Sequence, residues 1–224
     1  MSNFTGAELV TAVKQRSGRT NDAVLITTSF VLQALNEAQL QIVKMAPRIV
    51  SLDKSDTTTY SLTTADTSFD ISTLAPAHIG GIWILNGAAT RKKGLKYREL
   101  TEFRRKYIPV ASEGDGEPFE YTRQGNDILF NMPVASDFNG LFLQIDYTAF
   151  ATDLLNDGTA SELPDSNKGL ILFALADVYD EIALSMPRFE SKALKTRVLY
   201  DRWFDDYKDY QTSLIETLYG DNPW

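Results

Sequence analysis

The residues best placed for chemistry in this sequence are acidic. Asp177, Asp180 and Glu181 fall at i, i+3 and i+4 in ALADVYDEIAL, so a helix there would carry three carboxylates on one face. That spacing could hold a divalent cation or a carboxylate pair. Neither a histidine nor a second acidic cluster of matching spacing accompanies them, so the pattern reads as a solvated face or a partner contact in preference to a metal site. The chain contains one histidine, His78, and no cysteine, which removes disulfides, thiol nucleophiles and thiolate metal sites together. A general base needs an acid or nucleophile beside it. His78 sits between Ala77 and Ile79 at the head of an apolar run, which reads as a structural histidine at a strand start. The loop pieces DKSD, DGEPFE and NDGTASE lack the EF-hand spacing, and GxGxxG, GxxxxGK[ST] and GxSxG are all absent. With 30 acidic residues a hydrolase using two carboxylates stays open, but no spacing selects its pair. No catalytic residue, cofactor or metal ligand is assigned.

The net charge of −8 argues against general nucleic-acid binding, because proteins that grip phosphates carry basic surfaces. One segment runs against this balance. RKKGLKYRELTEFRRK, Arg91 to Lys106, holds eight of the 22 basic residues. Three readings fit it: an exposed strand edge guarded by lysine and arginine; a contact with an acidic partner, including another copy of the chain; and a nucleic-acid contact with Tyr97, Phe103 and Tyr107 stacking on bases. Arg104, Arg105 and Lys106 are the candidate interface residues.

Elements to position these residues follow from periodicity. Thr5 to Arg16 predicts a helix with a capping box of Thr5 and Glu8. SFVLQALNEAQLQIVKMAP, from Ser29, predicts a second, with Val31, Leu35, Ala38, Ile42 and Met45 on a buried stripe and uncharged Gln33, Asn36 and Gln41 elsewhere, stopped by Pro47. From Thr57 the period becomes two: TTTYSLTT, TSFDIS, the buried run HIGGIWIL and the exposed GLKYREL predict strands. Phe119 to Asn131 predicts a hairpin turning at Gln124-Gly125-Asn126, and Asn139-Gly140 opens the strand LFLQIDYTAF. GLILFALADVYDEIALSM predicts a helix with Leu172, Ala176, Tyr179, Ala183 and Met186 on one stripe. A long helix follows from Glu190 to about Tyr219, with Tyr200, Trp203, Tyr207, Tyr210, Leu214 and Leu218 along one side. The expected fold class is α+β, a helical bundle from both chain ends with an inserted antiparallel β sandwich or barrel. The expected segments are 1–53, 54–152 and 153–224. No run is long and apolar enough to span a membrane and MSNFTGAELV lacks a signal-peptide layout, so the chain is expected to be soluble and intracellular when made.

The last helix orders its charges against its own dipole. Arg188, Lys192, Lys195 and Arg197 lie near its start, and Asp205, Asp206, Asp209 and Glu216 towards its end. A head-to-tail contact between copies, involving Asp205 and Asp209, would give that order a purpose. Beyond it, Gly220 and Asn222-Pro223 stop the helix and leave Trp224 terminal.

The succession LNEAQLQIVKMAP, GEPFEYTRQGNDILFNMP, QIDYTAFATDL and ELPDSNKGLILFALADVYDE resembles the head-to-tail adaptor proteins of tailed bacteriophages. Its shared features are a G-x-P-x-x-Y hairpin ending in Pro133, a tyrosine-bearing strand before a leucine, and a Leu-Pro turn before a helix. Residues 88–107 and the tail beyond Tyr219 match least. The resemblance implies a virion structural protein without an active site, assembled in the host cytoplasm. It implies a ring of copies, a dodecamer, below the portal protein, tail or nozzle proteins beyond it, and DNA passing through the lumen without specific binding. It also implies a C-terminal segment docked on the portal, with Leu218, Tyr219 and Trp224 as candidate anchors. Glutamine and asparagine flanks on the Ser29 helix would suit packing between copies, since uncharged groups are desolvated more cheaply than charges. The alternatives from other classes are the hydrolase and a carbohydrate- or ligand-binding β module with Trp83 or Tyr97 as stacking residues.

Overall fold

The chain alternates between helix-forming and strand-forming sequence only twice, and its contacts divide it accordingly. The structure, a computed structural model, describes residues 3–20, 24–46, 48–86, 90–107, 114–163 and 165–219, with the backbone alone for Arg91, Lys92 and residues 215–219. Residues up to Leu52, together with those from Phe150 onward, form one compact unit, and Asp53–Ala149 forms the other. The protein is mixed α+β.

The helical unit is built from α1 (Gly6–Ser17), α2 (Thr28–Met45), α4 (Asn167–Ser185) and α5 (Glu190–Tyr219), while α3 (Leu100–Tyr107) belongs to the β unit. The Thr5 hydroxyl accepts from the Glu8 amide while the Glu8 carboxylate accepts from the Thr5 amide, so the expected capping box starts α1. Thr27 caps α2 through the Phe30 amide. Val31, Leu35, Ala38 and Ile42 are buried as the period predicts. Met45 is not; it is 58% exposed at the end of α2, where the chain turns at the buried Ala46. In α4 the buried residues span nearly every direction round the axis, from Leu170, Ile171 and Leu172 to Val178, Tyr179 and Ile182. This is wider than the single stripe the sequence suggested, because α4 packs against α1, α2 and α5. Tyr200, Trp203 and Tyr207 bury one side of α5, whereas Tyr210 is half exposed. Gly169 lets the Trp203 ring lie on α4: a Cβ there would meet the ring at about 2.0 Å.

The β unit is a single curled sheet, a half-barrel, of β1 (Asp53–Asp56), β2 (Ser68–Asp70), β3 (Pro76–Leu85), β4 (Arg91–Tyr97), β5 (Glu120–Gln124), β6 (Asp127–Phe130) and β7 (Leu143–Ala149). Their order is β1-β7-β3-β4-β5-β6-β2. The hairpin β5–β6 turns at Gly125, φ 65°, with Gln124 opposite Asp127. Ile82, Ile84, Leu95, Ile128, Phe130, Leu143 and Ile145 form its core.

Three expectations are corrected here. TTTYSLTT is not a regular strand. The Asp56 carboxylate accepts from the amides of Thr58 and Thr59 and bends the chain, leaving an isolated bridge from Ser61 to Phe142. The sheet is not wholly antiparallel, because β4 and β5 pair in parallel at Lys96–Tyr97. The crossover that this requires is the third correction: the sequence reading ended its strand GLKYREL at Leu100 and assigned no helix beyond it, whereas Leu100–Tyr107 is the helix α3. The Glu99 carboxylate accepts from the amides of Thr101 and Glu102 and starts it.

Candidate assembly surfaces

The basic segment folds half as strand and half as helix. β4 pairs with β3 from Arg91 to Leu95 and with β5 only at Lys96–Tyr97, so the protected-edge reading fails at the C-terminal end of the strand. On α3, Phe103 and Tyr107 are buried and turn the helix onto β5. Beneath it sits Glu120, 5% exposed. Arg98 grips its carboxylate with two donors, Nε at 2.7 Å and Nη2 at 2.5 Å. The Tyr107 hydroxyl donates to the same carboxylate at 2.7 Å, and Lys106 Nζ stands 3.5 Å away. The Arg98 hydrogen bonds, helped by those of Tyr107 and the charge of Lys106, overcome burial and hold Glu120 down at about 2. Asn131, fully buried, accepts from the amides of Phe119 and Glu120 and fixes where β5 begins.

This network decides which of the predicted cations are available. Arg104 donates to Gln124. Lys106 is drawn to Glu120 and lies over the Tyr107 ring, 4.8 Å from its centroid. Arg105 alone of the three is exposed with no partner among the described residues.

No protein-family model matches this chain, and no curated protein is significantly similar to it. Function must therefore be argued from its own surfaces.

In the helical unit, the acidic trio of α4 is partly claimed from within. Arg197 of α5 pairs with Asp177 at 3.2 Å and with Asp180. Burial pushes the Asp177 carboxyl up, against the pull of Arg197. Among the described residues, no group of three or more potential ligands is placed to hold a metal ion. The reversed charges of α5 are likewise partly satisfied inside the chain: Lys192 lies 4.6 Å from the Phe189 ring centroid, and Asp205 pairs with Lys208 at 2.8 Å. Asp209 is exposed and has no partner among the described residues. Leu218 and Tyr219 end α5, but their side chains, and Trp224 entirely, lie outside the described residues.

Two polar residues of α2 are used inside the chain. Asn36 accepts from the Leu154 amide at 2.7 Å and donates to the Leu154 carbonyl. Gln39, buried, donates to the Thr152 carbonyl and accepts from the Ser161 hydroxyl. They fasten residues 152–161 of their own chain to α2. Between that segment and the helix remains a cleft of about 590 Å³, with Leu32, Leu40, Phe150 and Leu155 in its lining and the exposed Glu37 and Asp153 at its rim.

The sequence reading missed a further surface, the outer face of α5. Leu194, Val198 and Leu199 are 66%, 58% and 51% exposed. The four-residue step from Leu194 to Val198 and the adjacent Leu199 were legible, but the larger aromatic stripe on the opposite side drew the assignment. On the β unit, the Trp83 indole lies over Gly81 and Gly94, whose missing side chains make room for it, beside a hollow of about 330 Å³ that Tyr97 and Tyr121 also line. His78 stands near the start of β3, opposite Thr148.

Proposed function

We propose that this chain is a structural subunit of a tailed-phage particle, an adaptor that joins copies of itself into a ring between portal and tail. The observation that carries this is the interrupted helical unit: both ends of the chain build helices round α4, and the middle builds a β unit of its own. That division follows the order of segments, helical, β and helical again, on which the resemblance rests. Exposed apolar residues on α5 and in the α2 cleft give such a subunit surfaces to cover. The net charge of −8 suits a wall along which DNA slides, since it repels phosphates. No helix among the described residues is long and apolar enough to cross a membrane. On this proposal the protein resides in the virion after assembly in the host cytoplasm, meets the portal on one side through its C-terminal residues and a tail or nozzle protein on the other, and catalyses nothing.

Electron microscopy of the chain mixed with purified portal rings tests this. The pure chain should scatter light as a monomer or small oligomers and close into a ring on the portal. Truncation after Leu218 should leave the thermal midpoint nearly unchanged and weaken attachment severely, because a buried aromatic anchor contributes about 2 kcal/mol or more. Failure of the full chain to bind any portal ring, or a tight two-fold dimer in solution, would end the proposal. The Trp83 hollow supports the second reading, a ligand-binding β module, which glycan-array binding lost in Trp83→Ala would favour.

A further inference from the structure

On the outer side of α5, Lys195, Val198, Leu199 and Arg202 occupy positions i, i+3, i+4 and i+7, which a helix brings onto one face. The stripe therefore reads cation, two exposed aliphatics, cation, with Leu194 beside it. Neither Lys195 nor Arg202 has a partner among the described residues, and both are exposed. The α2 cleft offers the opposite pattern: aliphatic and aromatic lining from Leu32, Leu40, Phe150 and Leu155, with the exposed carboxylates Glu37 and Asp153 at the rim and no lysine or arginine in the lining. Both features belong to the helical unit, and α4 packs against both of the helices that carry them.

We infer that the occupant of the α2 cleft is the α5 stripe of a second copy of this chain. Val198 and Leu199 enter the apolar part of the cleft, and Lys195 and Arg202 meet Glu37 and Asp153. Apolar surface is then covered on both sides, and charges are complementary at the rim, where pairing adds register and direction without burying a charge. The stripe and the cleft are different surfaces, so the contact is heterologous. Each copy that docks leaves one stripe and one cleft free, and the contact repeats head to tail, closing into a ring when the rotation per copy permits. This rests on the proposal that the chain works as a ring subunit, and it names the faces through which it would do so.

The absence of cysteine makes a clean test possible. Leu155→Cys and Val198→Cys are both at exposed positions and can be introduced singly and together into the full chain, with circular dichroism to check folding. Oxidation of the two single variants mixed at high concentration should give a crosslinked dimer of unlike variants in large excess over like pairs. The double variant should give a ladder of multimers. Lys195→Glu with Arg202→Glu should abolish the ladder, and adding Glu37→Lys with Asp153→Lys should restore it. A strong dimer of Val198→Cys alone would replace the contact with a two-fold α5 pair. If unlike dimers fail to form both in concentrated chain and on portal rings that the chain demonstrably binds, the contact is overturned while the adaptor proposal stands. A ladder from a chain that binds no portal ring keeps the contact and removes the adaptor. Ladder formation unaffected by the charge reversals would overturn the stripe-to-cleft assignment.

Discussion

Helix α3 of the β unit and the outer face of α5 in the helical unit are both rich in cations, and they use them in opposite ways. On α3 and the two residues before it the cations cluster in sequence, yet the buried Glu120 takes up Arg98 and Lys106, and Gln124 takes up Arg104. On α5 two cations seven residues apart look unremarkable in sequence, yet Lys195 and Arg202 have no partner among the described residues and flank exposed Val198 and Leu199. A run of like charge signals a possible surface only until an opposite charge is folded beneath it. A carboxylate buried with its partners at hydrogen-bonding distance turns a basic patch into a structural clamp.

The contrast breaks most decisively at Glu120. Glu120→Ala leaves the Arg98 fork and the Tyr107 hydroxyl without their common acceptor, and removing one member of such a buried pair costs about 3 kcal/mol or more. The thermal midpoint of the β unit should fall by roughly 12 °C or more. Val198→Ser on α5 should leave it within about 0.5 kcal/mol of the parent, as for other exposed positions. Equal losses at the two sites would erase the distinction.

Acid titration sharpens it next. Glu120 is held at about 2 in the folded chain, below its ordinary value of 4.5. Its contribution is therefore complete above about pH 4.5 and is lost progressively as the pH falls towards 2, amounting to about 3 kcal/mol at most. Urea midpoints measured across this window should drop in the parent and drop less in Glu120→Gln. A parallel decline in both would show that other carboxylates govern acid unfolding.

The smallest effect separates neighbours on α3. Lys106→Glu places a second carboxylate beside Glu120 and should lower the thermal midpoint. Arg105→Glu should not change it, because Arg105 touches nothing that would object. An assembly defect in Arg105→Glu without loss of stability would return α3 to the list of contact surfaces. Reversing Arg104, Arg105 and Lys106 together would therefore carry a structural cost at Lys106.

Local signals alone specified much of the fold. The capping box of Thr5 and Glu8, the Gly125 turn, the period-two run of β3 and the long apolar period of α4 each act over a few residues, so the sequence displays them directly. The mixed α+β class follows from their order. Other features depended on residues far apart in the chain. Leu100–Tyr107 became a helix because Phe103 and Tyr107 pack onto a strand formed later, and because a parallel β4–β5 pairing needs a crossover. Asn36 and Gln39 became fasteners for residues 152–161 only once that loop was laid beside α2, more than a hundred positions away. Which cations are free and which apolar side chains stay bare is set by the far partner in the same way. Periodicity reports which side of an element is apolar; only tertiary packing decides whether the chain itself covers that side, because coverage is a property of two surfaces and the sequence lists one at a time.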